Sequence, residues 1–326
     1  MRWRPGSALV LAALLASPAA ARAQHLDSLV VRLAEMSAVS GLEDAMADSL
    51  LAALPGAGLD RAGNVVWTRG AGDPVRVALC PMDEVGYVVG AITADGYLTL
   101  RRVGTAPVGP LYDQFLEGQR VTVFGRRGAV PGVVGVRSVH LSRGRSAGSD
   151  EPFRLDDARV DVGARSAAAA ADLGIAVLAP VTRAKRAHRY GLELVAAPDA
   201  ADRAACAALL DAAQRAPREA STGTVVVAFT RRQQFRWDGA AFLVRDRAAG
   251  ADPGVVVVLG GAGPADSLGL GTAPARRDSL LAPGGWLPVT AWSLPARYAH
   301  TPVETVSLRD AAALAEALRN FVGGGR

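Results

Sequence analysis

Val75-Arg76-Val77-Ala78-Leu79-Cys80-Pro81-Met82-Asp83-Glu84-Val85-Gly86-Tyr87-Val88-Val89 is the stretch at which the texture of the chain changes. Val75 to Leu79 reads as a short strand, a polar Met-Asp-Glu turn follows, and Tyr87 to Ile92 opens a second β run. Upstream, Leu26, Leu29, Val30, Leu33 and Met36 recur at helical spacing. A second helix is expected from Leu42 to Leu54 with Ser40 as its cap, and a strand at Val65 to Thr68. Downstream come only short β runs, at Tyr97 to Leu100, Arg120 to Phe124 and Gly132 to Val136. Gly and Pro turns divide them, which predicts a small barrel or sandwich rather than a βαβ unit. Ser142 to Asp150 reads as a polar loop, and an alanine-rich helix is expected from Ser166 to Leu173. After Tyr190 the α/β texture returns. A helix is expected at Asp202 to Gln214, a strand at Thr224 to Thr230, a helix near Trp237 to Arg247 and a strand at Val255 to Leu259. A last helix runs from Ser307, its cap, to Val322, and Gly323 to Gly325 end it. The order predicts one α/β domain, residues 24–86 and 188–326, interrupted by a β-rich insert, residues 87–187.

Arg2 and Arg4 precede the apolar run Ala8 to Leu15, and Ala21-Arg22-Ala23 follows it. That is the pattern of a secretory signal, residues 1–23, cleaved before Gln24. The run is shorter than the roughly 20 residues a spanning helix needs. A periplasmic or extracellular protein with no membrane span in its mature chain is the expectation. Cleavage removes three arginines and lowers the formal charge from +5 to +2. Lys185 is the single lysine, and no basic stripe is interleaved with aromatics, so nucleic acid is not an expected partner. Cys80 and Cys206 each lie in an apolar segment, where either a disulfide or two buried thiols fits.

Several short segments carry a resemblance: Ser40-Gly41-Leu42-Glu43, Asp60-Arg61-Ala62-Gly63-Asn64, Met82 to Val89, Asp95-Gly96-Tyr97-Leu98, Gly118-Gln119-Arg120-Val121, Gly132 to Gly135 with His140-Leu141, Asp161 to Ser166, Asp202-Arg203, and Arg297 to Glu304. In this order they resemble the glutamyl-aminopeptidase and cellulase-M-like family of dinuclear zinc exopeptidases. The resemblance implies an α/β fold, a mixed sheet between helices, with a small β-barrel-like insert that commonly supports assembly into large hollow oligomers. It also implies removal of N-terminal residues from peptides by two divalent ions, whose shared water is activated while a glutamate shuttles the proton.

Position by position, however, the family's ligands are replaced. Pro81 stands where the resemblance implies the first histidine, and Ala201 where it implies the bridging aspartate. Gln233 takes the place of the general base and Gln234 that of the next ligand. A glutamine cannot take up a proton at neutral pH, and its neutral carbonyl is a poor zinc donor. Arg231 and Arg232 are expected to add positive charge beside them. No acid stands at Gly260-Gly261, where a further aspartate is implied, and Asp266 lies too far along. Only His300 survives, as a weak metal candidate.

Asp83, Glu84, Asp199 and Asp202 are nearby acids. Asp83 reads as a turn cap without a histidine to orient, and Asp199 as a helix-start or turn residue. His25, His140 and His188 do not make up the loss, and no His-Glu-x-x-His, Cys-x-x-Cys or Gly-x-Ser-x-Gly motif occurs. The expectation is an exported pseudo-peptidase, with no cofactor, that binds peptide or a protein partner and forms a homo-oligomer. The alternatives are an active aminopeptidase using zinc, cobalt or manganese at a non-standard site, and a structural oligomer subunit. Pro81, Ala201, Gln233, Gln234 and His300 are expected to meet in one cleft.

Overall fold

The computed structural model describes residues 18–105, 109, 111–136, 152–216, 223–247, 254–262, 275–276 and 289–323. The expected Ser142 to Asp150 loop, His140, Asp266, Gly324 and Gly325, and the start of the signal pattern lie outside them.

Helices α1 (Pro18–Ala34) and α2 (Asp44–Ala53) precede strands β1 (Gly58–Leu59), β2 (Val65–Ala71) and β3 (Val75–Pro81). Then come β4 (Tyr87–Ile92), β5 (Leu98–Arg102), β6 (Arg120–Gly125), β7 (Gly128–Val134), β8 (Val160–Asp161), α3 (Ala167–Asp172) and β9 (Pro180–Arg183). The chain continues through β10 (His188–Tyr190), β11 (Leu194–Ala196), α4 (Ala200–Gln214), β12 (Gly223–Thr230), α5 (Asp238–Arg247) and β13 (Gly254–Ala262). Strands β14 (Ala275–Arg276), β15 (Val289–Ala296) and β16 (Thr305–Ser307) and helix α6 (Leu308–Gly323) complete it.

The fold is mixed α/β. A seven-stranded sheet runs in the order β1-β2-β12-β3-β13-β15-β14, and β4-β5-β8-β7-β6-β9 close a barrel. Between barrel and sandwich, the alternatives the sequence left open, the strands choose the barrel. Strands β12, β3, β13 and β15 are parallel neighbours, so their C-terminal ends share one edge. In open parallel sheets that edge is where ligands bind.

Strand alternation sorts the side chains onto two faces. Val225, Val227 and Phe229 of β12, with Ala78 and Cys80 of β3, join the large core that includes α1, α2, α4 and α6. Val226 and Ala228, with Val77 and Leu79, pack on the opposite face against Leu243 and Val244 of α5. Cys80 is thereby directed at α4. The barrel has its own core of Tyr87, Val89, Leu98, Leu100, Val121, Val123 and Val181.

Two local expectations need correction. Helix α2 starts at Asp44, with Glu43 in the cap position and no side-chain cap bond. Ser40 lies three residues before that position, too early to accept from the first free amides of the helix, and donates its hydroxyl to the buried Asp83 Oδ2 at 2.6 Å. Strand β7 begins at Gly128, earlier than the expected Gly132, because it pairs along the whole of β6 as a hairpin. By contrast, Ser307 accepts from the Asp310 amide at 3.3 Å at the start of α6, as expected, and Ser166, not singled out as a cap, accepts from the Ala169 amide at 3.1 Å at the start of α3.

Candidate functional site

The positions singled out by the sequence converge at the C-terminal edge of the parallel strands. Pro81 ends β3 directly opposite Thr230, the last residue of β12, and the loop after Thr230 carries Gln233 and Gln234. Gly260 lies near the end of β13 and packs against Ala201 in the first turn of α4. The segment after β15 brings in His300, whose amide donates to Glu304 Oε2 at 2.7 Å. The other oxygen of Glu304 accepts the Ala201 amide at 2.8 Å. One carboxylate therefore joins the His300 loop to the start of α4.

Asp83 holds the glutamine loop. It accepts the Gln233 amide at 2.9 Å and the Gln234 amide at 3.2 Å, besides the Ser40 hydroxyl. The sequence suggested a local turn cap, but these partners are far along the chain, brought in by the pairing of β3 with β12. Burial pushes the Asp83 carboxyl up to about 6, although its three donors favour the charged form. The loop is further fixed by Thr105, whose amide donates to the Gln234 carbonyl at 2.8 Å. Glu43 accepts the Arg232 amide at 3.0 Å, and Asn64 accepts the Arg231 amide at 3.0 Å. Arg232, Arg236 and Trp237 all have positive φ, a conformation unfavourable for such side chains and sustained by this set of bonds. The side-chain amides of Gln233 and Gln234 have no hydrogen-bond partner among the described residues and are partly exposed.

Arg231 and Arg232 do not direct their charge at the site, as the sequence suggested. Arg231 pairs with Asp44 at 2.6 Å and Arg232 with Asp238 at 3.2 Å. Those acids stand at the starts of α2 and α5.

Asp202 accepts the Gly260 amide at 2.7 Å, and burial raises its carboxyl to about 6. Burial likewise raises Glu304 to about 7. Asp199 occupies the position before α4 in a left-handed conformation, φ 57°, yet makes no cap bond. Its carboxylate lies 3.5 Å from Lys185 Nζ. Burial opposes its charge, but Lys185 and Arg183 hold the Asp199 carboxyl down at about 2. Lys185 also pairs with Glu84, as does the buried Arg203 at 3.5 Å. Glu84 is thus committed to two cations and to the Ala38 amide at 2.7 Å. Sequence reasoning missed this ion cluster, and it missed Glu304 as the link between two loops. The solitary lysine was the available signal.

Cys80 and Cys206 form a disulfide, with Cα atoms 5.5 Å apart. It closes the question left open by their apolar surroundings.

These residues do not fit a two-metal centre. Pro81 and Ala201 present no donor atom. A side chain at position 260 would put its Cβ 2.5 Å from the Ala201 methyl and 2.6 Å from the Asp202 amide nitrogen, so the packing leaves no room there for an aspartate. Among the described residues no group of three or more His, Cys, Asp or Glu side chains is placed to hold an ion. Asp83, Asp202 and Glu304 are instead occupied with backbone amides. This edge of the sheet offers the partly exposed amides of Gln233 and Gln234, an exposed His300 and buried carboxyl groups bonded to backbone amides, a set suited to hydrogen bonding.

The chain is similar to known proteins along most of its length. The SgcX protein of Escherichia coli is 29% identical over 85% of this chain and 88% of its own. The lysyl aminopeptidase of Pyrococcus furiosus is 30% identical over 57% of this chain and 54% of its own. Among solved structures, the TET1 peptidase of Pyrococcus horikoshii superposes with a TM-score of 0.77 at 22% identity, covering 91% of this chain and 99% of its own. No helix among the described residues is long and apolar enough to cross a membrane. The M42 glutamyl aminopeptidase family matches residues 63–257, more than half of the sequence, and the chain belongs to that family.

Proposed function

We propose that the protein is an exported member of the family that binds peptide, or a partner presenting a peptide segment, without cleaving it. The observation that carries this reading is the contact between Gly260 and Ala201. Two positions where the family resemblance implies carboxylates are packed onto each other as glycine and alanine, leaving no space for an ion and its ligands. Two glutamines in place of the base and the next ligand point the same way. They keep the shape of glutamate but exchange its charged acceptor for a neutral amide that both donates and accepts. Metal analysis of the purified protein, with turnover of aminoacyl-anilides in added zinc, cobalt or manganese, tests the reading. Sub-stoichiometric metal and no turnover are expected. Near-stoichiometric metal with activity lost to a chelator would overturn it.

Export is supported by the Arg2 to Ala23 signal pattern and by the disulfide, which persists in oxidising compartments. Among the described residues the first buried one is Leu26, so cleavage before Gln24 keeps the described packed face of α1. Homo-oligomer formation is proposed because the TET1 peptidase is described as assembling into a tetrahedron or a large octahedral shell.

A second reading is an active aminopeptidase built on one metal at His300, helped by Asp202, Asp83, Asp199 or Glu84. Family membership and the lysyl aminopeptidase relative favour it. Loss of chelator-sensitive turnover in His300→Ala would support it over the first.

A further inference from the structure

We propose that the Cys80–Cys206 disulfide, rather than a metal ion, clasps α4 to the end of β3 and fixes the floor of the crevice. The inference rests on the reading that the crevice holds no metal.

The two cysteines are the only ones in the chain and stand 126 residues apart. Cys80 immediately precedes Pro81. Cys206 lies on the helix that carries Ala201, five residues or about one and a half turns further on. The bond therefore joins the two elements whose ends carry the replaced positions. It also brackets the barrel: the chain leaves the sheet after Pro81, builds β4 to β9, and has returned to the α/β core by Cys206. A closed span of that length greatly restricts the unfolded chain and pins the base of the insert in the folded one.

The surroundings explain why a covalent bond matters here. Around Cys206, α4 presents buried Ala201, Ala204, Ala205, Ala207 and Ala208. Methyl groups allow the close approach seen at Gly260, but they interlock shallowly and bury little area each. Two polar contacts hold the first turn, Asp202 to the Gly260 amide and Glu304 to the Ala201 amide. Neither reaches β3. Arg203, which donates to the Met82 carbonyl, and the disulfide are the specific links from α4 to the end of that strand among the described residues.

The test compares the exported full-length protein with a Cys80→Ala/Cys206→Ala double variant. Thiol titration of the denatured wild type is expected to find no free thiol. The double variant is expected to melt roughly 6–12 °C lower. Its amide exchange at Ala201 and Gly260 should speed by about tenfold or more, while Val121 and Val123 in the barrel stay unchanged. Chelator should leave the wild-type Tm within about 1 °C of its starting value. Two free thiols in the exported protein, or a double variant matching wild type in Tm and in exchange at Ala201 and Gly260, overturns the proposal. If the double variant does not fold, the wild type reduced in mild urea and alkylated replaces it, and an unchanged Tm then overturns the clasp. A chelator-induced fall in Tm with an unchanged Tm on thiol removal overturns it as well. Near-stoichiometric metal with the disulfide effect intact would instead sink the metal-free reading alone.

Discussion

Gly260 is the position that lets the first turn of α4 sit against the end of β13. Its hydrogen points at the Ala201 methyl, and restoring an acid by Gly260→Asp should not rebuild a ligand. The new Cβ must push α4 away, and unfolding in urea should show a loss of about 2–4 kcal/mol with no gain in bound zinc. Stability unchanged, with metal acquired, would show that the helix yields easily. The buried carboxyls make a second prediction. Asp83, Asp202 and Glu304 reach about 6, 6 and 7 in the folded protein, above the value of roughly 4 for such groups in an unfolded chain. The folded state therefore binds protons more tightly than the unfolded one, and the strain of the buried charges is relieved as pH falls from 8 towards 5. Asp199 works in the opposite sense, stabilising above about 4 and losing its contribution as pH falls towards 2. Unfolding free energy should thus be higher at pH 5 than at pH 8, on the order of 2–4 kcal/mol. A flat profile, or one rising with pH, would mean that these carboxyls are better solvated than their burial implies.

Among elements, the connection between β9 and β10 holds Lys185 between Glu84, just past β3, and Asp199, just before α4. Lys185→Ala leaves two buried carboxylates facing each other without their cation. A loss of roughly 3–5 kcal/mol is expected, with Lys185→Met no better because it too lacks the charge. Equal stability of either variant in a denaturant titration would show that Arg203 alone neutralises the pair. Most element boundaries were legible from apolar periodicity, which depends on neighbours along the chain. Helix α3 and strand β12 are examples. The helix-start position of Asp199 was legible but its pairing with Lys185 was not, nor were the roles of Ser40 and Asp83, whose partners lie far along the chain. Strands β1, β8 to β11 and β14 to β16 passed unread because they are short, irregular or interrupted or flanked by Pro.

For the whole molecule, the resemblance named the right family and the right mixed α/β fold, and the replaced site positions meet at one sheet edge. What the sequence could not supply was the reason the replacements coexist. Ala201 permits the close seating of α4, Gly260 accepts it, and the disulfide binds helix to strand. If the chain assembles as the TET1 peptidase does, light scattering at micromolar concentration should give a mass many times that of one chain, independent of added zinc. A monomer would confine the resemblance to the fold of a single subunit. The solitary lysine has a practical corollary. With its ammonium enclosed by two carboxylates and almost no surface, an amine-directed dye has one accessible target on the native protein, the amino group at the start of the chain. Labelling should stop at one dye per chain. A second dye, appearing over time, would serve as a clock for the opening of the junction between barrel and sheet.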